Sequence, residues 1–422
     1  MHKVFSAILM FVFLFTFISC SAHATEGAQD IKTIESLSLE DYLADYDQMW
    51  TSLYSSYPFF GAFDRMSIDY KYIQQKHRQE LIDSGGNIES FLRCMTATMK
   101  DLKYFAHLGR YDVEIYHYAT EVFDEANSSG MMTEPWGFDI TPWLATLRRP
   151  QSKYFYSYCQ RRFVVDEKSS QEFNPPKVRL FPEVGVGYIR IDAFDYLSVR
   201  RDGEIIKKFY KDTVDFKHII IDITRNPGGS TNFWTENLVA PLGGEYQYTN
   251  YTCYKDSNLT RKFYIQAQDH LYLEPFHKFP TKVPFSNPED KEELRYFTEN
   301  KNVLSYPTEI HNNARRWVLI DKYVYSASEE FSIFCKETGW ATLVGNQTGG
   351  DGIGEQPIIV SLENTGLILT FSVCYGIGND GVCNQSEGTK PDIQCSLDQN
   401  PFSTCLKELE LLGININDIR ID

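Results

Sequence analysis

Positive charge is scarce in this chain: 41 Lys and Arg stand against 57 Asp and Glu, a formal net charge of −16. Phosphodiester backbones and anionic membrane surfaces need clustered cations, so nucleic acid is excluded as the main partner. No Gly-x-Ser-x-Gly occurs, which removes the nucleophile elbow of the α/β-hydrolases. No Cys-x-x-Cys pair and no His-x-x-x-His or similar ligand spacing occurs, so neither a metal nor another cofactor is expected. Internal repeats and low-complexity tracts are also missing. What remains is 422 residues with 42% apolar content, enough to bury a large core in two or three domains. Aromatics reach 15%, with 27 Tyr and 29 Phe, a content that fills ordinary cores as readily as it lines grooves.

After the first residues there is no second long apolar run. The first, VFSAILMFVFLFTFIS after Lys3, suits a signal-peptide core and is short for a spanning helix, so residues 1–24 are expected to act as an export leader. Cleavage after AHA (Ala22 to Ala24) competes with a lipobox reading of FISC, in which Cys20 becomes the lipidated N-terminus. The polar SAHATEGAQD that follows suits a tether, and lipidation is favoured. The expected location is the periplasm or cell envelope, with peripheral attachment to an outer membrane through the Cys20 lipid. Nine cysteines are present; without Cys20 eight remain, an even number in an exported chain. Bridges among Cys374, Cys383, Cys395 and Cys405 and reduced buried thiols are both open readings.

Residues 35–106 read as a small helical domain. Ser38 is placed to cap a stripe at 39, 43, 46, 50, 53 and 57 that Pro58 ends, and a second stripe runs Ile88, Phe91, Leu92, Met95, Met99, Leu102. Residues 107–182 form a middle segment of faded periodicity, without the Gly-rich carboxylate loop of a PDZ insert. From 183 to 422 short β-branched runs (VGVGYIRI, HIIIDI, RWVLI, ATLVG) alternate with helical stretches, which predicts βαβ crossovers and a parallel-rich sheet of α/β class. A late hairpin, PIIVSLENTGLILTFSVCY, turns at Asn364 to Gly366.

Ligands of open α/β sheets collect beyond the carboxyl ends of strands. Two such ends stand out. In HIIIDITRNPGGSTNFW, Pro227 halts the strand and Gly228-Gly229 present bare amides before the next helix. In IDKYVYSASEEFSIF, Ser326 stands where strand gives way to helix, with Glu329 three residues on. Taken singly, the first is a tight turn and the second a capping box, in which side chains satisfy free helical amides. Taken together they describe a serine nucleophile beside an oxyanion hole on adjacent strands.

Five stretches in order, VGYIRIDAF, IIIDITRNPGG, YSASEEF, LVGNQTGGDG and GTKPDI, resemble the C-terminal processing, or tail-specific, serine peptidases between about Gly185 and Ile393. The resemblance implies a crotonase-like (ClpP/crotonase) α/β core, a polypeptide substrate and Ser326 as nucleophile. It further implies Gly229 and Ala327 as oxyanion donors, with Gly228 as the alternate. Where the lysine-dependent branch carries its lysine, this chain has Asp351, and a carboxylate of pKa about 3.9 is a poor base toward a serine hydroxyl. The chain therefore sits closer to the branch that resembles the tricorn core and the interphotoreceptor retinoid-binding modules, whose active members take a histidine from upstream. His107 in MKDLKYFAHLGRY is the candidate, with Phe105 where that motif has an aspartate. Glu387 is the expected orienting acid, with Gln385 as the alternative register, and Thr224 replaces the family's usual arginine. The rival expectation is an inactive ligand- or peptide-binding protein on the same fold.

Overall fold

The computed structural model describes residues 31–128, 139–163, 174–265, 273–396 and 399–421. Those from Lys32 onward form one compact unit. The expected leader and Cys20 lie outside the described residues, and among the described ones no helix is long and apolar enough to cross a membrane.

A six-stranded sheet organises the second half. Its order is Ile393–Gln394, Thr342–Gly345, Arg315–Ile320, His218–Asp222, Val186–Arg190 and Lys177–Phe181. Every pair is parallel except the last, where Lys177–Phe181 runs antiparallel to its neighbour. Burial on both faces follows the period of two. Ile219, Ile221, Val318 and Ile320 pack under the helices Val199–Asp212 and Ala327–Thr338, while Ile220, Trp317, Leu319 and Val344 meet Cys405 and Leu409 of the helix Pro401–Leu411. Apolar runs without alternation are what such two-sided burial requires.

Helices come first in the chain: Leu39–Ser56, Phe60–Arg65, Tyr70–Asp83 and Ile88–Asp101. The Ser38 cap is present, its hydroxyl accepting from the Asp41 amide at 3.3 Å while the Asp41 carboxylate accepts from the Ser38 amide at 3.0 Å. The described parts of the middle segment are largely helical, with Val113–Ser128, Thr141–Leu147 and Pro150–Phe163. All these helices share a core with strands much later in the chain: Trp50, Phe63, Met95 and Trp143 belong to one cluster with Tyr254, Ile358, Ile368 and Phe371.

The expected hairpin forms between Ile358–Ser361 and Ile368–Phe371, and its second strand also pairs with Gly109–Arg110 just after His107. Its turn is held from outside by the buried Asp45, which accepts from the Asn364 amide at 2.9 Å, the Thr365 amide at 2.7 Å and the Thr365 hydroxyl at 2.7 Å. A long ribbon of Gly244–Tyr254 and Tyr296–Tyr306, extended by Cys374–Ile377, brings Asn250, Asn300 and Asn302 to the wall of the central cavity. The eight described cysteines are free, buried thiols, so the last four are not bridged.

Candidate active site

Two loops at the carboxyl ends of neighbouring parallel strands meet. Asp222 and Leu319 are paired in register, and beyond them lie the Gly-Gly turn and the Ser326 turn. Contact is close: a Cβ placed on Gly228 would lie 2.8 Å from Ser326 Cβ and 2.6 Å from the Tyr325 carbonyl, and Gly228 has φ +96°. Only glycine fits there. Asn226 fastens the two turns. Its side chain accepts from the Gly228 amide at 2.9 Å, and its carbonyl accepts from the Tyr325 amide at 3.2 Å and the Ser328 hydroxyl at 2.7 Å.

Ser326 occupies the N-cap position of Ala327–Thr338, yet its hydroxyl makes no capping bond, and its backbone is strained at φ 56°, ψ −126°. A non-glycine residue held there is costly and needs support from its surroundings. The capping-box expectation for Glu329 also fails: that carboxyl is fully buried and accepts from Asn384 Nδ2 at 2.7 Å and Thr389 Oγ1 at 2.7 Å. Its Oε2 has no partner among the described residues, and burial pushes the group up to about 7. The hydroxyl of Ser326 is left to line a cavity of about 350 Å³.

Gly229 and Ala327 line the same cavity. The parallel bridge between Phe194 and Gly229 uses the Gly228 carbonyl and the Ser230 amide, so the Gly229 N–H faces the other way. The Ala327 N–H lies in the first helical turn, where no intrahelical acceptor exists. Neither amide has a partner among the described residues. Gly228 differs from the expectation of an alternate donor, because its N–H is spent on Asn226 Oδ1.

His107 lines the cavity too, its side chain 22% exposed. Its Nδ1 lies 2.6 Å from Asp351 Oδ2, which fixes Nδ1 as the protonated nitrogen and leaves Nε2 as the basic one. Asp351 is buried, with 2% of its side chain exposed, and Oδ2 also accepts from the Tyr325 hydroxyl at 2.6 Å and Ser372 Oγ at 3.4 Å. Gln385 Nε2 donates to Oδ1 at 3.1 Å. Burial would push this carboxyl up, but the His107 charge and the hydrogen bonds from His107, Tyr325 and Gln385 hold it below the ordinary carboxylate range.

Glu387 is not part of this cluster. It is exposed on the short helix Asn384–Glu387, 4.0 Å from Lys390, because Gln385 turns inward there and a residue two positions on faces out. Sequence reasoning placed Asp351 only as a failed base, and it missed Tyr325 and Ser372 altogether. The available signal for Asp351 was its place in the loop that leaves the carboxyl end of Thr342–Gly345. Thr224, where the family's arginine was expected, receives a guanidinium from the adjacent strand: Arg190 donates to its Oγ1 at 3.0 Å and its carbonyl at 3.1 Å.

The remaining lining is polar. Glu330 accepts from Thr231 Oγ1 at 2.6 Å and Trp234 Nε1 at 3.3 Å, and burial raises it; Glu355 is pushed up to about 7 by burial and by the Glu330 charge. Among the described residues, no Lys or Arg lines the cavity. Among the described residues no group of three His, Cys, Asp or Glu could hold a metal ion.

A family model described as peptidase family S41 matches residues 185–395, half of the chain. Among solved structures, a protein of Parabacteroides merdae provisionally described as a peptidase is 16% identical, covering 92% of this chain and 100% of that one, with a TM-score of 0.53. The photosystem II D1 C-terminal processing protease is 17% identical over 55% of this chain and 50% of its own, at a TM-score of 0.35. A lipoprotein from Streptococcus agalactiae is 13% identical over 89% and 97%, at 0.46. At such identities the first likeness is one of fold.

Proposed function

The chain belongs to peptidase family S41, a family of serine-type peptidases, and we propose that it hydrolyses polypeptides through Ser326, His107 and Asp351. The observation that carries this reading is one cavity lined by a serine in a strained turn, an imidazole backed by a buried carboxylate, and two unpaired amides. Ser326 Oγ attacks the scissile carbonyl carbon while His107 Nε2 takes its proton. The carbonyl oxygen becomes an oxyanion held by the Gly229 and Ala327 N–H groups, helped by the positive end of the helix Ala327–Thr338. Collapse breaks the C–N bond, and the imidazolium returns the proton to the leaving amine. Water then attacks the acyl-serine by the same route, releasing the acid and restoring the hydroxyl. Asp351 holds the imidazole in its productive tautomer and stabilises its cation.

The cell envelope is the proposed place of action, on the strength of the apolar leader and Cys20. A second reading, a binding protein on the same fold, has one observation in its favour: no hydrogen bond joins Ser326 Oγ to His107 among the described contacts. Apo catalytic hydrogen bonds are commonly long and tighten only around substrate. Labelling by a fluorophosphonate separates the two. Wild type is expected to be labelled and Ser326→Ala to be silent; equal labelling of both, or of neither, would remove the peptidase reading.

A further inference from the structure

Tyr325 immediately precedes Ser326, and its side chain reaches the groups behind the imidazole. The hydroxyl donates to Asp351 Oδ2 at 2.6 Å and accepts the His107 backbone N–H at 3.1 Å, and the two rings lie 4.8 Å apart. Its backbone is pinned as well, donating to Asn226 O at 3.2 Å and bridging to Gly350. One side chain thereby joins the serine turn, the Asp351 turn and the segment that carries His107.

That segment needs holding. Lys103, Tyr104, Ala106 and His107 all have positive φ, between 50° and 61°. Non-glycine residues in such conformations persist only when neighbouring structure over-determines them. Besides its own turn hydrogen bonds, the segment is tied to the rest of the fold by Tyr57, which donates to the Phe105 carbonyl at 2.7 Å, by the Ser372 amide, which donates to the Ala106 carbonyl at 2.9 Å, and by the His107 amide, which donates to Tyr325.

We propose that Tyr325 is a positioning residue, which sets the aim and the proton affinity of His107 by sharing Asp351 Oδ2 with the imidazole. Its effect on catalysis rests on the peptidase reading; its effect on the imidazole does not. The titratable groups around the ring are Asp351 and Tyr325 behind it, and Glu330, Glu355 and Tyr196 across the cavity, with Ser372 Oγ at 3.3 Å as the other polar neighbour. Burial and the Asp351 charge keep the phenol neutral, so it serves as a donor throughout the working range. A carboxylate that accepts this hydrogen bond has less charge to offer the imidazolium. Removing the donor therefore raises the pH at which His107 protonates.

The test is the imidazole titration of His107 followed by NMR on histidine-labelled full chain, with the signal assigned through His107→Asn. In Tyr325→Phe the midpoint is expected to rise by on the order of one pH unit. Fluorophosphonate labelling of Ser326 should slow by roughly tenfold per folded molecule, its acid limb moving to higher pH. A purely structural role would lower the folded fraction without moving the midpoint. Fluorotyrosine at 325 keeps the ring and strengthens donation, so it covers the case of poor folding, and its midpoint should fall. Unchanged midpoints in the folded variants overturn the proposal. Absence of Ser326-dependent labelling in wild type instead overturns the peptidase reading, and the titration still decides the role of Tyr325.

Discussion

Asp351 was expected from the sequence to be no more than a poor base toward a serine hydroxyl. Its carboxylate faces His107 Nδ1 at 2.6 Å instead of the serine hydroxyl. A group too acidic to deprotonate serine is well suited to stay charged beside an imidazolium. Asp351→Asn keeps the shape and loses the charge, so kcat should fall by roughly 10³- to 10⁴-fold with KM little changed. Glu387→Gln, altering an exposed side chain beside Lys390, should leave both constants near wild type. Steady-state kinetics on one peptide substrate compares them, and the opposite ranking would return the orienting role to Glu387. Ser326, His107, Gly229 and Ala327 line one cavity, and their nearness was legible because each lies within or beside a motif. Asp351, Tyr325 and Gln385 also stand in or beside such motifs, but their convergence behind one imidazole is made through space, and no spacing in the chain encodes it.

Stripes and runs governed by local periodicity were read from the chain without difficulty: the helix Leu39–Ser56 with its Ser38 cap, the parallel strands and the hairpin at Asn364 to Gly366. The ribbon of Gly244–Tyr254 and Tyr296–Tyr306 was not. Its partners lie far apart in sequence, and one of its strands is half-exposed along most of its length, so it carries no clear apolar signature. The hairpin turn shows how one element depends on another, for its amides are satisfied by Asp45 from the first long helix. Asp45→Ala leaves buried donors unpaired and should cost about 2–3 kcal/mol in urea unfolding. A loss below about 0.5 kcal/mol would mean that the turn holds without the carboxylate.

Across the whole molecule, acids wholly or partly removed from water set opposing demands on pH. Asp351 is held below the ordinary carboxylate range, so its contribution is present above that range and is lost as pH falls below it. Glu329 and Glu355 are raised from 4.5 to about 7, so the folded state binds their protons more tightly. Their contribution is present below 4.5 and is lost as pH rises toward 7. Tm should therefore decline between pH 5 and pH 8, about the span of these midpoints, and Glu329→Gln should flatten the decline by keeping the Asn384 and Thr389 contacts without a titrating group. Parallel Tm profiles for the two proteins would show that Glu329 is not a buried neutral acid. The α/β class, the parallel sheet and the two loops that meet were all present in the order of residues, because periodicity and glycine placement are local properties. Which carboxylate stands behind His107, which amides stay free and what lines the cavity were settled by packing, since a hydrogen bond between residues hundreds of positions apart depends on how the layers stack.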